Sequence, residues 1–229
     1  MPNAMPESQL TGTVLMVRPV RFASNPQTAA SNRFQHAADV PDARLQALAL
    51  DEFEGFVGAL RGAGIDVIVV DDTAEPHTPD AIFPNNWISF HADGRVVLYP
   101  MEADNRQLER RQDILAVLAE QHDFTIHEVV DLTAHETDGR FLEGTGSLVL
   151  DRVNRVAYAC LSSRTHLEPL GDFAQRMGYE VVAFDAVDPN GAPVYHTNVM
   201  MSIGEHLAFI CDGAIGAADQ RRAVLAKLN

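Results

Sequence analysis

A repeated order of predicted elements constrains the fold of this 229-residue chain more than any other feature of its sequence. The first complete copy begins with an apolar strand over residues 81–90, and Asp93-Gly94 then supplies a pair that tight hairpin turns prefer. A second strand is predicted over residues 96–99, followed by a helix with one apolar face and a third strand over residues 124–130. The predicted unit is strand, strand, helix, strand.

The same order returns in a second complete copy. Strands are predicted over residues 147–150 and 156–161, and Thr165 with Glu168 forms the pattern of a capping box at the start of a helix. Gly178 is the residue type that ends helices, and residues 179–184 follow as the last strand of the copy.

Incomplete copies flank these two. Upstream, a strand, an amphipathic helix and a strand are predicted over residues 13–17, 42–60 and 65–70. Downstream, two strands and a helix are predicted over residues 194–203, 207–211 and 217–228. Units that cannot bury their own apolar faces stack around a common axis, in a solenoid, a propeller or a barrel. A doubly wound fold is the alternative, although its strands and helices alternate singly.

Composition and charge limit the classes of partner. The 17 basic and 32 acidic residues give a net charge of −15, which would repel a nucleic acid or an anionic membrane. No stretch approaches the roughly 18–20 apolar residues of a membrane span, and residues 1–10 lack the features of a secretory signal. Two cysteines without a CxxC motif fit a reducing cytoplasm. We expect one soluble cytoplasmic domain over residues 11–229 after a disordered segment 1–10.

Three polar residues occupy equivalent positions in the copies. Asp80, Glu143 and His196 each lie at the start of the first strand of a copy. If the copies pack around an axis, two carboxylates and an imidazole face one another, as in a general acid/base or cation-binding site. Taken singly, they would be a turn residue, a solvated loop carboxylate and a hydrogen-bonded histidine.

Three longer segments carry a resemblance to a known superfamily. TPDAIFPNNW (78–87), FLEGTGSLVLD (141–151) and YHTNVMM (195–201) resemble the guanidino-group-modifying, or pentein, superfamily of arginine deiminases, amidinotransferases and dimethylarginine hydrolases. Within it, the chain is most similar to the citrulline-utilisation hydrolases from about Thr11 to its end. The resemblance implies a five-bladed α/β-propeller of strand-strand-helix-strand units.

The resemblance also implies a mechanism that needs no cofactor. We expect no metal either, because His135-Glu136 lacks the second histidine of a zinc-binding helix motif. In the superfamily, a cysteine thiolate attacks the central carbon of a guanidino or ureido group, ammonia or an amine leaves, and water releases the covalent intermediate. His196 matches the general acid/base. Glu143 matches the carboxylate that holds a substrate nitrogen and supports the histidine, and Asp80 matches the carboxylate that pairs with the planar N–H edge of the substrate.

Some positions differ from their counterparts in the superfamily. Asn85 and Asn86 lie where dimethylarginine hydrolases carry acidic residues, and Asn198 replaces an aspartate of arginine deiminases. An amide can donate a hydrogen bond to a ureido oxygen, which favours citrulline-like substrates, although Asn85 and Asn86 also suit a plain turn. Arg164 resembles the arginine that binds the substrate α-carboxylate, with a surface arginine as the alternative. Residues 18–35 resemble a loop that closes over the site.

The expected nucleophile has no match in the sequence. The superfamily's catalytic cysteine lies in the last unit, beyond the helix at which this chain stops. Cys160 and Cys211 lie in apolar second strands and are expected to be small buried hydrophobes. The sequence therefore predicts a domain truncated before its last repeat, with acid/base and binding residues and no nucleophile.

Several functions stay open at this point. The first is hydrolysis of a guanidino or ureido group, with citrulline, arginine or a methylated arginine as substrate. An amidinotransferase, a non-catalytic binding module for such amino acids and an inactive fragment are the alternatives. The unpaired strand edge of an incomplete propeller makes a homo-oligomer one expectation.

Overall fold

A computed structural model describes residues 7–29, 32, 35, 40–122 and 124–228, and these form two compact units. The smaller unit contains the described residues of Thr11–Pro84 and Ala103–His122. The larger unit contains those of Met1–Leu10, Asn85–Glu102 and Asp123–Asn229. No helix in these described ranges has the length and apolarity that a membrane crossing requires. The single domain expected over residues 11–229 stays a prediction.

The described residues contain ten strands and six α-helices. The strands are β1 (Thr13–Arg18), β2 (Asp66–Asp71), β3 (Ile88–Phe90), β4 (Arg95–Leu98), β5 (Glu128–Asp131), β6 (Leu148–Asp151), β7 (Val156–Cys160), β8 (Glu180–Phe184), β9 (Met201–Ile203) and β10 (Ala208–Ile210). The helices are α1 (Asp42–Gly62), α2 (Asp104–Gln107), α3 (Gln112–Gln121), α4 (Gly144–Ser147), α5 (Leu167–Met177) and α6 (Ala218–Leu228).

The smaller unit contains a parallel pair of strands. β1 and β2 pair from Thr13 opposite Asp66 to Arg18 opposite Asp71. A parallel pair needs a crossover connection, and the chain between these strands contains α1. Phe53 and Val57 of α1 pack with Val67 of β2 in a hydrophobic core.

Two three-stranded sheets in the larger unit share one topology. A hairpin pairs the first two strands antiparallel, β3 with β4 and β6 with β7, and the third strand, β5 or β8, pairs parallel with the second. Val97 of β4, Leu148 of β6 and Phe173 of α5 belong to one hydrophobic cluster that joins the sheets. A second cluster joins β7 and β8 to the β9–β10 hairpin and α6 through Tyr158, Phe184 and other apolar residues.

The four sheets bear on the predicted architecture. The described part of the chain forms sheets of two, three, three and two strands, which agrees with the predicted α/β class and excludes the single open sheet of a doubly wound fold. Four sheets are fewer than five blades, and these residues form no closed propeller. The five-bladed ring therefore stays a prediction.

Short helical turns replace the beginnings of the predicted first strands. The 3-10 helix Pro84–Asn86 precedes β3, α4 precedes β6, and the 3-10 helix Thr197–Val199 precedes β9. Asn, Gly, Ser and Thr near these turns favour local hydrogen bonds over extended backbone, and Gly144 has φ 44°, which a strand cannot use. Asp80, Glu143 and His196 therefore precede helical turns and do not begin strands.

The predicted C-terminal end of α5 is confirmed, and its predicted N-terminal cap is wrong. Gly178 ends the helix with φ 73°, as predicted. The capping box is wrong, because α5 begins at Leu167 and its N-cap is His166, without a side-chain cap. Thr165 therefore lies one residue too early to cap the helix.

The N-terminal segment lies partly within the described residues. Residues 1–6 lie outside them, so the expected disorder stays a prediction there. Glu7 is buried, and Gln9 Nε2 donates to the carbonyls of Leu150 and Ile203. The two contacts of Gln9 span 141 and 194 positions of sequence, which local sequence patterns do not reveal.

Candidate active site

Glu143 and His196 form a buried pair in the larger unit. His196 Nε2 lies 2.8 Å from Glu143 Oε2, and the side chains are 7% and 0% exposed respectively. Glu143 is the N-cap of α4, and His196 is the N-cap of the 3-10 helix Thr197–Val199. The helical turns redirect the backbone at both residues, and the side chains meet across 53 positions of sequence.

Arg164 lies beside this pair and binds two carboxylates. Its Nη1 lies 3.3 Å from Glu143 Oε2 and its Nε lies 3.1 Å from Glu102 Oε2. The guanidinium also lies over the ring of Tyr195, 5.3 Å from the ring centroid. Arg164 is 2% exposed, so the interpretation of it as a surface arginine is wrong.

Two hydroxyl groups hold the backbone around the pair. Ser147 Oγ accepts from the Glu143 N–H at 2.9 Å and donates to the Arg164 carbonyl at 2.9 Å. Thr197 Oγ1 donates to the Ser147 carbonyl and accepts from the Cys160 N–H. Sequence reasoning missed Glu102, Ser147 and Thr197, although the two hydroxyl residues lie in the Gly-Thr-Gly-Ser and His-Thr-Asn segments.

Gly146 permits a close approach that a side chain would prevent. A Cβ atom at this position would lie 2.7 Å from His196 Nδ1 and would also collide with Asn86 Nδ2. Asn86 is buried, and its Nδ2 donates to the Glu143 carbonyl at 3.5 Å. The glycine therefore lets the amide and the imidazole pack against α4.

The other predicted asparagines have different surroundings. Asn85 is half-buried, and its backbone carbonyl accepts a hydrogen bond from Thr145 Oγ1 at 3.4 Å. Asn198 is exposed. Asn86 thus has its side chain beside the Glu143–His196 pair.

Asp80 belongs to the smaller unit and has polar partners there. Its Oδ2 lies 2.7 Å from Asn25 Nδ2, 3.3 Å from Thr28 Oγ1 and 3.7 Å from Arg106 Nε. Asn25 and Thr28 belong to segment 18–35, which the sequence predicts to be a closing loop; residues 30, 31, 33 and 34 of that segment lie outside the described residues. In this structure the loop residues bind the carboxylate directly.

The two cysteines differ in environment. Cys160 ends β7, is fully buried, and its Sγ lies 3.5 Å from the Val194 carbonyl. Burial raises the pKa of its thiol to about 11. Cys211 is a free, exposed thiol, so the expectation that it is buried is wrong. The residues of β10 before it, Ala208 and Phe209, are also exposed, because β10 pairs only with β9 within the described residues.

The arrangement in the larger unit can transfer protons. A carboxylate can only accept hydrogen bonds when ionised, so Glu143 receives the Nε2–H of His196, and Nδ1 is then the nitrogen that can take or give a proton. Among the described residues, no three His, Cys, Asp or Glu side chains are grouped so that they could hold a metal ion.

Comparisons with solved structures identify the fold. The chain is similar to the N-terminal domain of ArgZ, an arginine dihydrolase from cyanobacteria, in a cysteine-to-serine variant bound to substrate. The TM-score is 0.67 at 20% identity, over 94% of this chain and 72% of that one. It is similar to AgrE in complex with ornithine and NAD+, with TM-score 0.68 at 20% identity, over 95% of this chain and 29% of that one.

A third solved structure belongs to a dimethylarginine dimethylaminohydrolase. It is a histidine-to-glycine variant in an adduct with S-methyl-L-thiocitrulline, with TM-score 0.57 at 16% identity, over 85% of this chain and 66% of that one. The chain spans 28% of the length of full-length ArgZ. At these identities the likeness shows a pentein-type fold.

Sequence comparison gives the family. No curated protein sequence matches the chain. A family model described as "N,N dimethylarginine dimethylhydrolase, eukaryotic" matches residues 18–229. The resemblance to the pentein superfamily is thereby confirmed, and the chain belongs to the N,N-dimethylarginine dimethylhydrolase family of arginine-modifying hydrolases.

Proposed function

We propose that the chain carries the acid/base and substrate-binding residues of a hydrolase that acts on the guanidino or ureido group of an arginine-like amino acid. The buried contact between His196 Nε2 and Glu143 Oε2 carries this proposal. Support also comes from the similar structures, which are those of an arginine dihydrolase, of AgrE with ornithine and of a dimethylarginine dimethylaminohydrolase with S-methyl-L-thiocitrulline.

The proposed reaction has two steps that share one histidine. A cysteine thiolate forms a bond to the central carbon of the substrate group, and the bond from that carbon to the leaving nitrogen breaks. The leaving nitrogen takes a proton from His196 and departs as ammonia or an amine. His196 then removes a proton from water, the water oxygen attacks the same carbon, and the carbon–sulfur bond breaks to return the thiolate.

Glu143 and Arg164 support His196 in this scheme. The Glu143 carboxylate fixes the ring orientation and stabilises the imidazolium that forms when His196 takes up a proton. The resemblance assigns Arg164 to the substrate α-carboxylate. Its contacts with Glu143 and Glu102 favour a different role, in which it orients the Glu143 carboxylate.

Neither cysteine of the chain is the proposed nucleophile. Cys160 is buried, and with a pKa of about 11 roughly one molecule in ten thousand carries the thiolate at pH 7. Cys211 is exposed and does not lie in a segment that resembles the superfamily's nucleophile motif.

Substrate recognition is proposed to involve Asp80 and Asn85. Asp80 would pair with the planar N–H edge of the substrate, which requires it to exchange its contacts with Asn25 and Thr28. An amide at position 85, where relatives carry an acid, favours a neutral ureido group over a guanidinium cation. Citrulline is therefore the proposed substrate class, ahead of arginine and dimethylarginine.

Calorimetry on the full chain tests the binding part of this proposal. L-citrulline, L-arginine and dimethylarginine are titrated separately, and citrulline is expected to bind most tightly. Asp80→Asn and Glu143→Gln should weaken binding by about 10-fold to 100-fold, since each removes a charged hydrogen-bond partner. Glu168→Gln, at an exposed position in α5, should leave the affinity unchanged. A folded chain that binds none of the three ligands would refute the proposal.

A turnover assay tests the assignment of the nucleophile. Release of ammonia or dimethylamine is followed with the same three substrates, and the chain is expected to show none. Turnover that disappears in Cys160→Ser or in Cys211→Ser would identify that cysteine as the nucleophile and overturn the assignment.

A non-catalytic binding module is the second candidate. It is favoured by the burial of Cys160, which keeps this thiol from acting as a nucleophile. Binding without turnover in this chain agrees with both candidates. Formation of product when a cysteine-containing segment of a relative is added in trans would favour the hydrolase.

A further inference from the structure

The N-terminal segment, residues 7–10, reaches a basic cluster in the larger unit. Glu7 contacts Arg152 Nη1 through Oε1, and its Oε2 lies 3.5 Å from Arg155 Nη1. Tyr179 Oη donates to Oε2 at 3.4 Å, and His91 Nδ1 lies 3.5 Å from Oε1. The side chain of Glu7 is 4% exposed. Both carboxylate oxygens therefore face hydrogen-bond donors in an enclosed position.

The cluster contains more positive charge than Glu7 neutralises. Arg152 and Arg155 carry two permanent charges against one carboxylate. Asp93, the acidic neighbour of His91, forms its own ion pair with Arg95 at 2.7 Å. In a chain with a net charge of −15, two partly buried arginines therefore lie beside one enclosed carboxylate.

The donors are held in position by other contacts. A buried series of hydrogen bonds leads from Tyr99 Oη to Ser89 Oγ at 2.7 Å and from Ser89 Oγ to His91 Nε2 at 3.0 Å. These bonds orient the ring so that His91 Nδ1 lies 3.5 Å from Glu7 Oε1 and 3.5 Å from Arg152 Nη1. The Arg155 guanidinium lies over the Tyr179 ring, 5.2 Å from its centroid. Its buried Nη1 makes no hydrogen bond within the described ranges and has Glu7 Oε2 as its ion-pair partner.

Gln9 fixes the segment beside this cluster. Its Nε2 donates to the carbonyls of Leu150 and Ile203, and its Oε1 accepts from the Arg152 N–H at 2.8 Å. These three contacts join the end of β6 to the end of β9. The contacts of Gln9 therefore hold the backbone of the segment in place two residues after Glu7.

We propose that His91, Arg152, Arg155 and Tyr179 form a carboxylate-binding site that the chain's own Glu7 fills. Two guanidinium groups and a phenol hydroxyl can all donate, and their two positive charges favour an anion such as a carboxylate over a neutral or cationic group. When the Glu7 side chain is removed, the site takes a small free monocarboxylate of the size of acetate. The site is separate from Glu143 and His196, so it does not depend on the proposed function.

Chemical rescue of a full-length variant tests this site. Glu7→Ala leaves the donors without their anion and should lower the thermal unfolding midpoint by about 5–10 °C, because a buried charge loses its partner. Addition of 100 mM sodium acetate should raise the midpoint of this variant by about 3 °C in a saturable manner. Sodium chloride at equal ionic strength should give no comparable recovery.

Matched controls separate the site from general salt effects. Glu168→Ala removes a carboxylate of the same unit whose side chain is 57% exposed, and neither this variant nor the wild type should respond to acetate. An acetate effect on Glu7→Ala no larger than on the wild type would overturn the proposal, as would an unchanged midpoint in Glu7→Ala. If Glu7→Ala does not fold, the double variant Glu7→Ala/Arg152→Met is used, because it also removes the arginine charge that has lost its partner. A double variant that still does not fold would count against the site.

Discussion

His196 Nε2 lies 2.8 Å from Glu143 Oε2, and Arg164 Nη1 reaches the same oxygen at 3.3 Å. One buried carboxylate oxygen therefore contacts both an imidazole and a permanently charged guanidinium. Burial of a carboxylate is unfavourable unless partners of this kind surround it. The stability of the larger unit and the orientation of the imidazole thus depend on the same charge.

Glu143→Gln should destabilise the protein by about 3 kcal/mol, because Arg164 and His196 lose the charge that compensates their burial. Urea unfolding followed by circular dichroism measures this change. Glu168→Gln removes a surface carboxylate 3.4 Å from Arg140 and should cost less than about 1 kcal/mol. Equal effects of the two substitutions would show that the buried pair contributes no special stability.

Gly146→Ala should weaken both stability and ligand binding. The added methyl group meets His196 and Asn86, and relief of this overlap should cost about 1–3 kcal/mol and turn the imidazole away. Gly171→Ala is the matched control, since Gly171 lies in α5 and a Cβ there meets no atom within 4 Å. That control should be neutral or stabilising by up to about 1 kcal/mol. Wild-type citrulline affinity in Gly146→Ala would contradict this expectation.

The two cysteines should react with thiol reagents at very different rates. Cys211 is exposed and should be labelled by iodoacetamide within minutes at pH 7.5. Cys160 is buried and burial raises its pKa to about 11, so it should be labelled only after unfolding. Mass spectrometry of digested protein assigns each label. Rapid labelling of Cys160 in the folded Cys211→Ser variant would refute the assignment of Cys160 as a structural residue.

Acid should remove the stabilisation that Glu7 provides. Burial acts to raise the pKa of Glu7, but the hydrogen bond with His91 and the charge of Arg152 outweigh it and lower the pKa from 4.5 to about 2. Because the pKa is lower in the folded state, the ionised Glu7 adds up to about 3 kcal/mol to the free energy of unfolding. This contribution is fully present above pH 4.5 and is lost as the pH falls towards 2. The difference in unfolding free energy between wild type and Glu7→Gln should therefore be largest near pH 7 and shrink below pH 4.5. A difference that is independent of pH would show that the Glu7 charge is not involved.

The sequence by itself determined the local units and the family. Periodic apolar residues and turn residues such as Gly178 predicted most strands and helices, because these signals act within a few residues of the elements they specify. The long motifs around Asp80, Glu143 and His196 carried the resemblance that the family match confirms. The equivalent positions of Glu143 and His196 in the repeats already placed them in one predicted site.

Only the tertiary structure decided which partners these residues have. Glu102 reaches Arg164, and Glu7 reaches Arg152, across separations of 62 and 145 positions that no local pattern encodes. Burial is a property of the packed chain, so the sequence could not distinguish the exposed Cys211 from the buried Cys160. The charge of Arg164 was visible in the sequence, whereas its orientation towards Glu143 follows from the way two helical turns and β7 pack together.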